Sequence, residues 1–158
     1  MTPSQCLTVS RTYDLELVRS IITHPSCFPS VSDDNCRAEE FRPSADPRII
    51  YLLAMKASPL GIFMLVPESE VCLEIHTCLL PHAWGPTARE VARLAETWIW
   101  SNTTCKRLIT KVPEFNQTAL KYALQGGMLI YGFNPASFLH EGRLRAQFLL
   151  GKSNPVYT

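Results

Sequence analysis

Cys72, Glu74, His76 and Cys78 stand at alternate positions and carry the side chains in this chain best suited to moving a proton. In an extended segment that spacing puts all four on one face. A carboxylate beside an imidazole is an acid–base combination: Glu74 could act through a water, and His76 titrates in a range suited to proton transfer. The plainer alternative is a hydrogen-bonded polar pair lining the wall of a cleft. With His82 added, the same residues raise the question of zinc. Ligands two apart on a strand sit roughly 7 Å from one another, too far for a compact four-ligand site, so no metal is expected. A Cys72 or Cys78 nucleophile lacks a visible oriented base.

Two helix starts are the other candidate chemistry. Leu79-Leu80-Pro81-His82-Ala83-Trp84-Gly85-Pro86-Thr87-Ala88-Arg89 reads as a strand end, a tight turn with glycine, and the first turn of a helix. Unpaired N–H groups and the positive end of the dipole suit a phosphate there, with Arg89 and Arg93 as nearby cations. Most such junctions bind nothing, so the local pattern is weak by itself. Asn116 opens a second helix after a second strand, where a plain N-cap is the simpler reading. In an open sheet ligands gather at the carboxyl ends of parallel strands, so both helix starts are expected at one edge, with Asn116 near Gly85.

The elements that must position these residues follow from periodicity. Leu7–Val9 reads as a short strand and Thr12–Thr23 as a helix with Thr12 as its N-cap. His24–Pro47 reads as a long loop, either an acceptor-site loop or a plain surface meander, with one short helix near Asp33–Phe41. Ile49–Lys56, Ile62–Val66 and Val71–Leu80 are strands, joined by turns at Ser58–Gly61 and Pro67–Glu70, and so form an antiparallel meander. Thr87–Ser101 is an amphipathic helix with Trp98 on its apolar face and Trp100 off it. Lys106–Val112 is a strand. The Asn116 helix has Phe115 and Leu120 at the staple positions and closes at Gly126-Gly127. Met128–Phe133 and Leu144–Leu150 are the last strands, joined by a loop through Asn134-Pro135 and His140-Glu141-Gly142. The expected fold class is α/β of the α+β type: a mixed, mostly antiparallel central sheet with flanking helices. One right-handed crossover joins a parallel strand pair within it.

The 158 residues fit one domain, 1–158. Fifteen Lys and Arg against fourteen Asp and Glu give a net charge of +1, which offers no electrostatic case for nucleic acid or an anionic membrane as partner. The first nine residues do not read as a signal peptide, and no apolar run reaches spanning length. A cytoplasmic protein with reduced cysteines is expected.

The element order, the turn after Val71–Leu80, Asn116-xx-Ala119 and Gly127-Met128 resemble the GNAT family of acyl-CoA-dependent N-acetyltransferases. Glu74-Ile75-His76-Thr77, Leu80-Pro81, Trp98 to Thr103, His24-Pro25 and Asp33-Asp34 are similar to the small GNAT-like proteins of phages and prophages. The resemblance covers nearly the whole chain. It implies a parallel strand pair that splays apart, and acetyl-CoA as cofactor. The pyrophosphate would lie on Trp84, Gly85, Pro86, Thr87, Ala88 and Arg89. The pantetheine arm would run along Thr77, Cys78, Leu79 and Leu80 and meet Asn116. It also implies an amine acceptor, protein or small molecule, that attacks the thioester directly, and pairing of two copies. Glu74 or His76 would be the base. The family's tyrosine acid falls on Ala123 by counting from Asn116, with Tyr122 the adjacent candidate. The glycine loop fits in two registers, His82–Thr87 or Trp84–Arg89. A catalytically inactive GNAT-like accessory protein of phage origin is the alternative function.

Overall fold

The computed structural model describes residues 6–158. The first five, part of the N-terminal stretch read above as carrying no leader, lie outside the described residues. Seven strands form one sheet: β1 (Thr8–Thr12), β2 (Ile50–Lys56), β3 (Ser58–Pro67), β4 (Cys72–Leu79), β5 (Arg107–Pro113), β6 (Leu129–His140) and β7 (Arg143–Ser153). Their order is β1-β2-β3-β4-β5-β7-β6. Every neighbouring pair is antiparallel except β4 and β5. Among the described residues four α-helices flank the sheet: α1 (Leu15–Ile22), α2 (Phe28–Val31), α3 (Pro86–Asn102) and α4 (Gln117–Gln125). The mixed, mostly antiparallel α/β architecture expected from the sequence is the one observed.

Period-2 alternation along the strands sorts their apolar residues into two layers. Leu52, Ala54, Phe63, Leu65 and Leu73 pack with Ala88, Val91, Ala95 and Ile99 of α3 on one face. Tyr51, Ile62 and Cys78 pack with Val18, Ile21 and Ile22 of α1 on the other. Full burial of each large aliphatic side chain contributes about 1.5–3 kcal/mol, so both faces of β3 and β4 are pinned in register. Among the described residues no helix is long and apolar enough to cross a membrane.

Four local expectations are corrected. Helix α1 starts at Leu15, capped by Asp14, whose Oδ1 accepts from Leu17 N at 3.0 Å. A carboxylate caps and also meets the helix dipole, whereas Thr12 ends β1 and accepts from Asp14 N. The short helix of the long loop lies at Phe28–Val31, not near Asp33–Phe41. There Asp33 turns back to accept from Asn35 N, and Asp34 accepts from Glu141 N and Gly142 N at 3.0 and 2.8 Å. Ser58–Gly61 is strand rather than turn: Ala57 makes the reversal with φ +50°, and Gly61 stands opposite Leu79. A Cβ at Gly61 would collide with the backbone carbonyl of Cys78, so this glycine answers a close approach of two strands. Finally, Asn134-Pro135 does not break the last hairpin. Strand β6 runs through it by a register shift between Asn134 and Phe138, and only Glu141-Gly142 turns.

Candidate functional site

Parallel pairing of β4 with β5 covers only Cys72 with Arg107, Leu73 with Leu108, and Glu74 with Ile109. Both strands continue, and Thr110 Oγ1 donates to Ile75 O at 3.0 Å at the point where they part. A cavity of about 370 Å³ opens beyond it, walled by β4, β5, α3 and α4.

The hydrogen-bond phase of β4 fixes what its backbone presents there. Leu80 N donates to Leu60 O at 2.8 Å and Glu68 N to Cys72 O at 2.9 Å. In an antiparallel ladder the hydrogen-bonded pairs alternate, so Glu74, His76 and Cys78 bond to β3 while Ile75, Thr77 and Leu79 direct their amides toward β5. After the strands part, Thr77 offers its N–H and C=O to the cavity that it lines. Farther along the expected binding edge of Thr77, Cys78, Leu79 and Leu80, some backbone groups are already paired. Leu79 O accepts from Trp84 Nε1 at 3.0 Å and from Cys27 Sγ at 3.3 Å, and Leu80 N is taken by Leu60.

Glu74 and His76 share a face, as their spacing requires, and they touch: Glu74 Oε1 lies 2.8 Å from His76 Nε2. The other carboxylate oxygen lies 3.2 Å from Lys111 Nζ. The hydrogen bond with His76, followed by its charge and by Lys111, holds the Glu74 carboxyl below its ordinary range against the opposing effect of burial. Glu74 is therefore a fixed anion between the imidazole of His76 and the ammonium of Lys111. Lys111 went unseen in the sequence. Its signal is the register: Glu74 faces Ile109, so the residue two further along β5 returns to the face of Glu74.

Cys72 and Cys78 share that face but do not line the cavity. Cys78 is buried beneath α1, and burial pushes its thiol up to about 12. Burial also raises Cys72. Neither thiol is an activated nucleophile.

Helix α4 opens as expected: Asn116 Oδ1 accepts from Ala119 N at 3.1 Å. That uses its carbonyl oxygen and leaves its NH₂ donors to the cavity wall. The Phe115 ring stacks on His140 at 3.9 Å and packs beside Phe138. Tyr122 also lines the cavity, but its hydroxyl donates to Ala88 O at 3.1 Å, and burial raises its pKa. The proton that the sequence offers for catalysis is engaged in tying α4 to the first turn of α3.

That first turn carries the expected glycine loop. Gly85 has φ +90° and nothing within 4 Å of where a Cβ would stand. Trp84 N donates to Pro81 O and Ala88 N to Gly85 O, and Pro86 has no N–H. Gly85 and Thr87 remain to offer amides at this end. Beside it, a groove of about 250 Å³ between α3 and α4 is lined by Arg89, Arg93 and Lys152. Arg93 pairs with Glu90 at 2.6 Å and Lys152 with Glu96 at 2.8 Å. Among the described residues Arg89 has no carboxylate partner within 4 Å.

No protein-family model matches the sequence, and no curated protein matches it either. Solved structures do. A spermidine N-acetyltransferase from Vibrio cholerae, in complex with CoA and spermine, superimposes with a TM-score of 0.77 at 14% identity, over 93% of this chain and 95% of its own. A GNAT-family acetyltransferase from Streptococcus pneumoniae does so with a TM-score of 0.71 at 18% identity, over 94% of this chain and 100% of its own. The chain has the GNAT fold. The splayed parallel pair and the Asn116 helix line the cavity, and Arg89 at the start of α3 lines the groove.

Proposed function

We propose that the chain is an acetyl-CoA-dependent N-acetyltransferase that transfers an acetyl group to an amine. The observation that carries this reading is the cavity at the splay, where a free stretch of β4 backbone and a Glu74–His76–Lys111 cluster face the same space. The residues suit CoA, a long chain of amides ending in phosphates. Thr77 offers a strand edge to an amide, Asn116 offers NH₂ donors, and Gly85, Thr87, Arg89, Arg93 and Lys152 offer amides and cations to phosphate. Acetyl-CoA would supply the activated acyl group. The chain's own part is to orient the amine and remove its proton. With Nε2–H directed to Glu74, the Nδ1 lone pair of His76 takes the proton of an incoming ammonium. Glu74 holds that tautomer. Both tasks fall within one domain over 1–158, working in the cytoplasm, where acetyl-CoA is made and used.

A second reading, a GNAT-like accessory protein of phage origin without transfer activity, is favoured by the small number of amides left at the α3 turn and by the engagement of Tyr122 with Ala88. One experiment separates the two. Ligand binding to the folded state raises its melting midpoint, so acetyl-CoA at millimolar concentration must raise it, and CoA thiol must then be released when amines are added. The absence of any shift sinks the transferase. A shift without release from any amine selects the accessory protein.

We also propose that two copies pair through β6. It is the edge of the sheet, and Leu129–Phe133 carries no charge.

A further inference from the structure

We infer that the acceptor is a small amine carrying a carboxylate a few bonds from its amino group, as a free amino acid does, and that Lys111 reads that carboxylate. This rests on the transferase reading and specifies its second substrate.

The charges of the cavity carry the inference. Two carboxylates line it, Glu74 and Glu96. Glu74 already meets His76 and Lys111, and Glu96 meets Lys152 at 2.8 Å and accepts from Trp100 Nε1 at 3.2 Å. A polycation entering this space finds each carboxylate already paired. Desolvating its additional ammonium groups there would be costly, because a buried charge needs a partner. Two carboxylates on neighbouring elements are engaged as well. Asp34 of the long loop holds Glu141 N and Gly142 N, and Glu114 holds Arg145 Nε at 2.8 Å.

Lys111 has the opposite character. An ammonium has three N–H donors. Glu74 takes one, at 3.2 Å, and the side chain remains 45% exposed. Donors are thus left over at the cavity for a second acceptor group. A carboxylate meets an ammonium in a charge-assisted hydrogen bond, about twice as strong as a neutral one. The two positions are also close. His76 and Lys111 sit on the two oxygens of one Glu74 carboxylate, so an amine at His76 and an anion at Lys111 belong to one short molecule.

The test uses the whole chain with saturating acetyl-CoA and follows CoA thiol release. Glycine, leucine and glutamate are compared with their own carboxamides, which keep the amine and lose the negative charge, and with spermidine. The expected kcat/KM is on the order of tenfold higher for each acid than for its amide. Lys111→Met should collapse that ratio by lowering the value for the acid more than that for the amide, and Lys111→Arg should keep it. Equal rates for acid and amide, a preference for spermidine, or an unchanged ratio in Lys111→Met overturns the assignment while the transferase reading stands. If no amine is turned over, the transferase reading fails and binding decides the acceptor separately. Melting midpoints are then measured with and without CoA. A larger rise with the amino acid than with its amide, present in the wild type and lost in Lys111→Met, upholds the carboxylate site; equal rises overturn it.

Discussion

Glu74 acts on its neighbours more than on a substrate. Its carboxyl is held below the ordinary value of 4.5, chiefly by the hydrogen bond with His76. A lowered folded value means that the stabilisation is complete above 4.5 and disappears as pH falls through the lowered value. Melting midpoints of the wild type should therefore fall below pH 4.5, and Glu74→Gln should show a shallower fall in that window; identical slopes would show that the pair contributes nothing. In catalysis His76 carries the proton. His76→Ala should reduce kcat on the order of 10²–10⁴-fold and leave the acetyl-CoA-induced midpoint shift in place, while Glu74→Gln should reduce kcat by less. An unchanged kcat in His76→Ala removes it from the mechanism. The pair was legible because alternation along a strand is a property of local sequence. Lys111 was not, because its place beside Glu74 depends on how two strands far apart in the chain align. The shared face of Cys72 and Cys78 was legible too, but not their depth, which depends on where α1 lies over the sheet.

At the level of elements, the two helices that frame the cavity were readable from their ends, Gly85-Pro86 for α3 and Asn116 with Gly126-Gly127 for α4. The elements misplaced in the sequence are those whose turn residues found other partners. Asp33 and Asp34 satisfy amides instead of starting a helix, and Pro135 is absorbed by a bulge in an edge strand. Gly85 shows how local a start signal is. Its φ of +90° with ψ of −141° lies in a region that a side chain disfavours even though the space around it is open. Gly85→Ala should cost about 1–3 kcal/mol of stability by urea denaturation, through backbone strain alone; no loss would mean that the turn relaxes freely. Tyr122 joins these same two helices. Tyr122→Phe should lose about 1 kcal/mol and keep kcat within a few fold. A fall of a hundredfold or more in kcat would instead make its hydroxyl a proton donor that leaves Ala88 during the reaction.

On the scale of the whole molecule, most of the apolar surface is divided between the two layers beside the sheet, and β6 is the exception. Leu129 is 72% exposed and Phe133 53%, with Ile130, Tyr131 and Leu144 also exposed. All of these but Leu144, which belongs to β7, lie along a strand with β7 on one side only, so its outer row of N–H and C=O groups faces away from the sheet. Edge strands of this kind are ordinarily protected by charge, proline or a bulge. Here proline comes only at Pro135, and Leu129–Phe133 carries no charged residue; its one irregularity is a single-residue register shift at Tyr131, between Ile130 and Gly132. An antiparallel partner with the same sequence satisfies both needs: it supplies the missing backbone bonds and an equally uncharged apolar face, with Tyr131 at the centre of a twofold pairing. Sedimentation of the wild type at tens of micromolar should then give twice the 17.8 kDa of one chain. Its melting midpoint should rise with protein concentration, as linkage to association requires. A lysine in place of Tyr131 sets two like charges against each other at the centre of that pairing. Tyr131→Lys should give a monomer with an unchanged circular dichroism spectrum and a midpoint independent of concentration. A wild type that sediments as a monomer throughout, or a Tyr131→Lys variant that still pairs, would show that this edge is not the contact.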